Sequence, residues 1–208
     1  MIDGLLRERF EPLLERMASP LVHLGMTPNQ VTATGMASIA TVSALYLWHQ
    51  SSLVFGLCLA VAFAFDALDG AVARSRNMRT KTGGYFDAMV DRYQEFVVLA
   101  AIAMVADQWP LAMAAFAGGM LTSYAKARAA LEAPISNRNW PDLFERLERI
   151  VLICAFLVLH GTLEWLGFAA GWVLTGGLAI YAVLTHWTAA QRIARAVGLL
   201  RMADRDGP

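Results

Sequence analysis

The sequence predicts an all-α, polytopic membrane protein: six transmembrane helices preceded by an amphipathic helix that lies along the membrane surface. Three observations carry this expectation. Of 208 residues, 57% are hydrophobic and only 16% are charged, with a mean hydropathy of +0.47; soluble domains carry about a quarter charged residues. Six mainly apolar stretches approach the ~20 residues needed to cross the hydrocarbon core. The basic residues fall on alternate connections between those stretches.

Residues 1–20 form the juxtamembrane helix. Arg7, Glu8, Arg9, Glu11, Glu15 and Arg16 interleave with Leu5, Leu6, Phe10, Leu13, Leu14 and Met17. A secretory signal would show an unbroken apolar run and a small-residue cleavage site instead. The spacing fits one apolar face resting on lipid. Pro12 is expected to delay or kink this helix. The spans follow at roughly 31–48, 53–72, 85–106, 109–131, 147–164 and 167–189. No Pro/Gly-rich linker interrupts the chain, so residues 1–208 read as one domain, with the six-helix core at 31–189.

Orientation comes from charge. There are 17 Lys and Arg residues, and the connections 49–52, 107–109 and 160–167 contain none of them. Arg74, Arg76, Arg79 and Lys81 lie between spans two and three, and Lys126, Arg128, Arg138, Arg146 and Arg149 surround the connection between spans four and five. Arg192, Arg195, Arg201 and Arg205 follow span six. Basic connections stay in the cytoplasm, so both termini are expected there, in a cell (inner) membrane. Trp48, Trp109 and Trp165 then fall at the opposite interface, where tryptophans anchor.

Composition also excludes function classes. Formal net charge is zero, which argues against a nucleic-acid partner. Cys58 and Cys154 sit inside apolar runs and suggest packing, with neither a disulfide framework nor a zinc site. His23, His49, His160 and His186 have no ligand spacing and read as loop or interfacial residues.

The chemistry is in the acidic residues. Asp66-Ala-Leu-Asp69-Gly70-Ala-Val-Ala73-Arg74 is followed by Gly83-Gly-Tyr-Phe-Asp87-Ala-Met-Val-Asp91. On helices, Asp66 and Asp69 share a face, as do Asp87 and Asp91. Two antiparallel helices joined by 75–83 bring the four carboxylates together. Carboxylates within spans are costly and usually functional. Such a cluster demands protonation or a cation, and hard oxygen ligands suit Mg²⁺, Mn²⁺ or Ca²⁺. Four carboxylates suffice for two metal ions, an arrangement that stabilises substitution at phosphorus. Gly70, Ala73 and Gly83 leave room for close approach, and Arg74 stands where it can meet a phosphate. An ion-coupled transporter is the remote alternative, but it predicts carboxylates spread along the spans.

The pattern Asp66-x2-Asp69-Gly70-x2-Ala73-Arg74-x8-Gly83-x3-Asp87-x3-Asp91 resembles the signature of the CDP-alcohol phosphotransferases. That resemblance implies a phosphatidyl transfer from a CDP-linked lipid such as CDP-diacylglycerol to a small alcohol, releasing CMP. It implies two metal ions, Mg²⁺ or Mn²⁺, on Asp66, Asp69, Asp87 and Asp91, with Asp91 as the base on the acceptor hydroxyl. It implies CDP contacts from Asp66, Asp69, Gly70, Ala73, Arg74 and Gly83, and from Asn29 and Thr32 in Thr27-Pro28-Asn29-Gln30-Val31-Thr32. A homodimer is also implied.

A second set narrows the acceptor. Ser123-Tyr124-Ala125-Lys126-Ala127-Arg128 and Phe144-Glu145-Arg146-Leu147-Glu148-Arg149 are similar to the phosphatidylinositol-phosphate synthase branch, as is Arg192. Lys126, Arg128, Arg146, Arg149 and Arg192 are therefore expected to hold the phosphate of a phosphorylated alcohol, inositol 1-phosphate first. The approach through Trp140-Pro141 departs from that branch's glycine-rich pattern. Glycerol 3-phosphate, the substrate of a phosphatidylglycerophosphate synthase, is the alternative acceptor. Positive-inside bias would also place Lys and Arg here, and Glu145 with Arg149 matches a plain i, i+4 pair.

Overall fold

The computed structural model describes residues 2–132 and 144–206, with side chains from 12–132 and 144–205. Its described residues form eight helices: α1 (Ile2–His23), α2 (Pro28–His49), α3 (Ser52–Asp66), α4 (Asp69–Ser75), α5 (Lys81–Ala106), α6 (Trp109–Glu132), α7 (Arg146–Trp165) and α8 (Gly171–Asp206).

Local chemistry sets the boundaries nearest the site. Thr27 caps α2 reciprocally with Gln30: Gln30 N donates to Thr27 Oγ1 at 3.3 Å, and Thr27 N donates to Gln30 Oε1 at 2.8 Å. Pro28 follows at the first helical position, where its missing N–H costs nothing. Thr80 Oγ1 accepts from Gly83 N at 3.0 Å and starts α5. Glu145 caps α7, with Glu148 reaching back to its amide at 3.1 Å.

The helices pack in a restricted set of pairs: α6 on α8, α3 on α7, and α2 on α5 and α3. One core runs through them, from Ile39 and Tyr46 through Phe55 and Leu59 to Ile102, Leu157, Leu178 and Tyr181. Small residues set the crossings, as they do where lipid offers no hydrophobic drive between helices. A Cβ on Gly161 would stand 2.6 Å from Leu53 Cα, so α7 lies against the α3 backbone. On Gly118 it would stand 2.8 Å from Thr185 Cβ, which draws α6 to α8. A separate small core of Ala18, Val31, Leu68, Ala71 and Val72 seats α1 on α4 and α2. Arg76 Nη1 fastens the α1–α2 turn by donating to Gly25 O and Met26 O, both at 2.7 Å.

Three helical stretches are long and apolar enough to cross a membrane by length and composition: Pro28–His49, Ser52–Ser75 and Gly171–Arg205. α5, α6 and α7 carry the polar residues of the site within their length, which lowers their hydropathy. The expected spans at 31–48, 85–106, 109–131 and 147–164 fall inside α2, α5, α6 and α7.

Several expectations need correction. The stretch 53–72 is not one helix. α3 stops at Asp66 and α4 restarts at Asp69, where the Asp69 carboxylate turns back onto Gly70 N at 2.5 Å. The last helix starts later than residue 167, because Gly167 closes α7 at φ +84°. It runs to Asp206 rather than stopping near 189. α1 passes through Pro12 and Pro20 without a late start; both prolines are exposed, so each ring faces away from the packed side. None of the four histidines is a loop residue: His23 and His49 end α1 and α2. His160 is buried in α7 with Nδ1 3.5 Å from Glu164, and His186 lies in α8 with Nε2 3.1 Å from Ala114 O. Cys154 packs against the core, but Cys58 is exposed.

A candidate active site at one end of the helices

All four aspartates meet, and each is positioned by a different feature. Asp66 ends α3 and is 2% exposed. Its Oδ1 accepts from Gln94 Nε2 and its Oδ2 from Arg146 Nη2, each at 2.8 Å. A Cβ on Gly35 of α2 would stand 3.0 Å from Asp66 Cβ and 3.1 Å from Cγ, and closer still to Oδ1. The absent side chain is what lets the carboxylate lie against α2. Asp69 opens α4, and its Oδ2 accepts from Thr32 Oγ1 at 2.6 Å. Asp87 lies within hydrogen-bond reach of Asp69. Asp91, one turn further along α5, has Oδ1 2.7 Å from Arg146 Nη2. Each of Asp69, Asp87 and Asp91 lies close enough to Asp66 for mutual repulsion.

One guanidinium offsets that repulsion. Arg146 Nη2 reaches Asp66, Asp91 and the Gln94 carbonyl oxygen, the last at 2.5 Å. Gln94 is fully buried and uses both ends of its amide, donating to Asp66 and accepting from Arg146. Among the described residues, no three Asp, Glu, His or Cys side chains stand at metal-ligand spacing as placed; Arg146 Nη2 contacts both Asp66 and Asp91. The donor set nevertheless fits a hard divalent cation. It offers four carboxylates, and Asp91 Oδ1 is buried with no hydrogen-bond donor among the described residues, with the Arg146 charge 2.7 Å away.

The residues expected around the nucleotide border this cluster. Thr32 is bonded directly to Asp69, and Asn29 Oδ1 would be 3.4 Å from a Cβ on Gly83. The Thr27–Thr32 segment and the Gly83 turn are therefore neighbours. Gly70 and Ala73 lie on α4, and Arg74 Nη1 would be 3.5 Å from a Cβ on Gly70.

The expected acceptor cations divide. Arg149 is buried and pairs with Glu95, Nε to Oε1 3.0 Å. Arg192 is buried, donates to Thr122 O at 2.5 Å and stands 3.8 Å from Glu145. Glu145 therefore faces Arg192 and not Arg149, against the plain i, i+4 pairing. Lys126 is half-buried, one turn beyond Thr122 on α6. Arg128 is half-exposed and paired with Glu132 at 2.5 Å. The Trp140-Pro141 departure and Arg138 lie outside the described residues.

Sequence reasoning missed Gln94, Glu95, Gly35 and Tyr181. For Gln94 and Glu95 a signal existed. They follow Asp91 by three and four residues and so continue its helical face into an apolar span. Gly35 and Tyr181 matter only through the packing of α2 on α3 and the reach of the Tyr181 side chain from α8 to Glu95, which one chain's spacing does not reveal.

Comparison with known proteins identifies the family and the fold. The profile of the CDP-alcohol phosphatidyltransferase family matches residues 25–200. Archaetidylinositol phosphate synthase of Pyrococcus horikoshii is 35% identical over 150 residues, covering 71% of this chain and 78% of that one. Phosphatidylinositol phosphate synthase of Mycobacteroides abscessus is 34% identical over 209 residues, covering 92% and 87%. The crystal structure of Mycobacterium tuberculosis phosphatidylinositol phosphate synthase with CDP-DAG bound shares the fold. Its TM-score is 0.74 at 24% identity, covering 89% of this chain and 94% of that one. The same enzyme in complex with manganese and citrate gives 0.75 at 24% identity, covering 88% of each chain. With the full aspartate signature folded into one cluster and the family profile spanning most of its length, this multi-pass membrane protein belongs to the CDP-alcohol phosphatidyltransferases and is a transferase.

Proposed function

We propose that this transferase moves a phosphatidyl group from CDP-diacylglycerol to inositol 1-phosphate, releasing CMP. The observation that carries the reading is the convergence of Asp66, Asp69, Asp87 and Asp91 beside Arg146, with buried Arg149 behind it. The relatives named as inositol phosphate synthases support the choice of acceptor.

Asp66, Asp69, Asp87 and Asp91 would hold two divalent ions, Mg²⁺ or Mn²⁺, which neutralise a pyrophosphate and make CMP a good leaving group. The chain's own residues do the rest. Thr32 fixes the Asp69 carboxylate, and Gln94 with Gly35 fixes Asp66. Asn29, Gly70, Ala73, Arg74 and Gly83 border the nucleotide. Asp91 takes the proton of the acceptor hydroxyl as its oxygen bonds to the phosphorus carrying the lipid. The bond from that phosphorus to the bridging oxygen of CMP breaks. Arg146, Arg149 and Arg192, with Lys126 at the edge, hold the acceptor's phosphate. Guanidiniums suit this task because their fork matches phosphate oxygens. Arg128 belongs to this set from sequence, but its pairing with Glu132 gives it the weakest support.

The chain works as one domain over 1–208, with α2 to α8 supplying six spans and α1 lying along the cytoplasmic surface. Both termini and the aspartate cluster face the cytoplasm of a cell (inner) membrane. The basic connections support that orientation. The sequence resemblance supports a homodimer, which cross-linking in membranes tests.

The test offers CDP-diacylglycerol and a divalent ion to the purified protein and measures CMP release with inositol 1-phosphate, glycerol 3-phosphate, inositol and serine separately. Turnover with inositol 1-phosphate alone is expected. Turnover with glycerol 3-phosphate alone would overturn the acceptor while keeping the transfer chemistry.

A further inference from the structure

Glu95 is a fifth carboxylate, one helical turn beyond Asp91 on the same face of α5 and 8% exposed. A buried acid is costly unless donors or cations surround it, and here two hydrogen-bond donors and a further cation converge from three helices. Arg92 Nη1 donates to Oε2 at 2.7 Å, Arg149 Nε of α7 lies 3.0 Å from Oε1, and the Tyr181 hydroxyl of α8 donates to Oε1. α6 closes the fourth side. A Cβ on Gly119 would stand 2.7 Å from Oε1, and Ser123 Oγ accepts from Arg92 Nη1 at 3.0 Å. Asp91, Glu95, Arg146, Arg149 and Tyr181 line one small cavity. Arg92 lies within electrostatic reach of both Arg146 and Arg149, and Asp91 and Glu95 of α5 stand among these like charges.

We propose that Glu95 is a positioning residue for the acceptor's phosphate: by engaging Arg149 at Nε and Arg92 at Nη1, it fixes the guanidinium that receives the anion. The ion pair at Nε holds the Arg149 guanidinium beside Glu95, and the planar fork of a guanidinium suits a second anion. Tyr181 donates to the same carboxylate oxygen that Arg149 faces, so it shares the role. The proposal rests on the acceptor-phosphate reading of Arg146, Arg149 and Arg192. It adds that affinity for the phosphorylated alcohol depends on a residue that does not touch it.

The test uses the full chain in detergent and the variants Glu95→Gln and Tyr181→Phe. Glu95→Gln keeps the shape and removes the charge. It should raise KM for inositol 1-phosphate about tenfold or more while KM for CDP-diacylglycerol stays within about twofold. Tyr181→Phe, which keeps the carboxylate and serves if Glu95→Gln fails to fold, should raise the same KM about three- to tenfold. Glu95→Asp should recover part of the loss. Inorganic phosphate gives a readout without turnover: it should raise the thermal midpoint of the parent protein and have less effect on either variant. If the parent turns over another acceptor instead, the acceptor identity fails, and the phosphate-induced shift still decides the role of Glu95. A fall in kcat with unchanged KM, or an equal rise for both substrates, would overturn the proposal. So would an undiminished phosphate shift in a folded variant.

Discussion

Gly35→Ala puts the geometry of the aspartate cluster to its sharpest use. The added Cβ would stand 3.0 Å from Asp66 Cβ and 3.1 Å from Cγ. Comfortable carbon contacts lie at about 3.5–4.0 Å, so α2 or Asp66 must yield by roughly half an ångström or more. Asp66 cannot swing aside freely, because Gln94 and Arg146 each hold one of its oxygens at 2.8 Å. Overpacking of this kind costs about 1–3 kcal/mol. A folded protein survives that, but a catalytic constellation tolerates only about 0.5 Å of error, and ~1 Å of displacement costs about a hundredfold in rate. Gly35→Ala should therefore lower kcat for CMP release by ten- to a hundredfold (about 1.4–2.7 kcal/mol of barrier). It should also weaken Mn²⁺ binding measured by electron paramagnetic resonance. Gly176→Ala is the control: nothing lies within 4 Å of its added Cβ, so only a small gain in helix stability is expected, about 1 kcal/mol. Near-parental turnover and Mn²⁺ affinity in Gly35→Ala would refute the idea that α2 positions Asp66.

Other perturbations separate site from scaffold. Thr32→Val removes the 2.6 Å bond to Asp69 and leaves a similar shape; a hydrogen bond to a charged group is worth about 1.5–3 kcal/mol, so turnover should fall at least about tenfold while the thermal midpoint moves little. Gly161→Ala would push against backbone atoms of Leu53, with Cα only 2.6 Å away. Neither helix can give locally, so a lower unfolding temperature in detergent is expected, by an overpacking cost of about 1–3 kcal/mol or more. Arg128→Ala should leave inositol 1-phosphate KM within about twofold, because an exposed pair such as Arg128–Glu132 contributes about 0–1 kcal/mol; a tenfold rise would return Arg128 to the acceptor site.

Much of this architecture was legible because membrane spans announce themselves through apolar length, and lone carboxylates within them stand out. The helices over 31–48, 85–106, 109–131 and 147–164 needed only that contrast. The break between Asp66 and Asp69 was hidden, since an apolar run through residue 72 looks continuous until the Asp69 side chain bonds Gly70 N. α8 was underestimated because hydropathy falls at the membrane surface while helical bonding continues to Asp206. The four aspartates were readable from i, i+3 and i, i+4 spacing alone. Their supports were not, because Gly35, Gln94 and Tyr181 act across helix pairs. Arg146 shows the same limit. As a sequence feature it is one cation in a basic connection. In the fold it bridges Asp66 and Asp91, and so joins the proposed phosphate-binding set to the carboxylate cluster.

That junction makes Asp91 the decisive residue. Asp91→Asn preserves size and retains an oxygen facing Arg146, but removes the base and one charge. CMP release from CDP-diacylglycerol with inositol 1-phosphate should fall about 10²–10⁴-fold, as expected for loss of general-base catalysis, while the thermal midpoint in detergent stays close to that of the parent. Turnover within about tenfold of the parent in a folded Asp91→Asn protein would contradict the account, because proton transfer at this cluster would then not need Asp91.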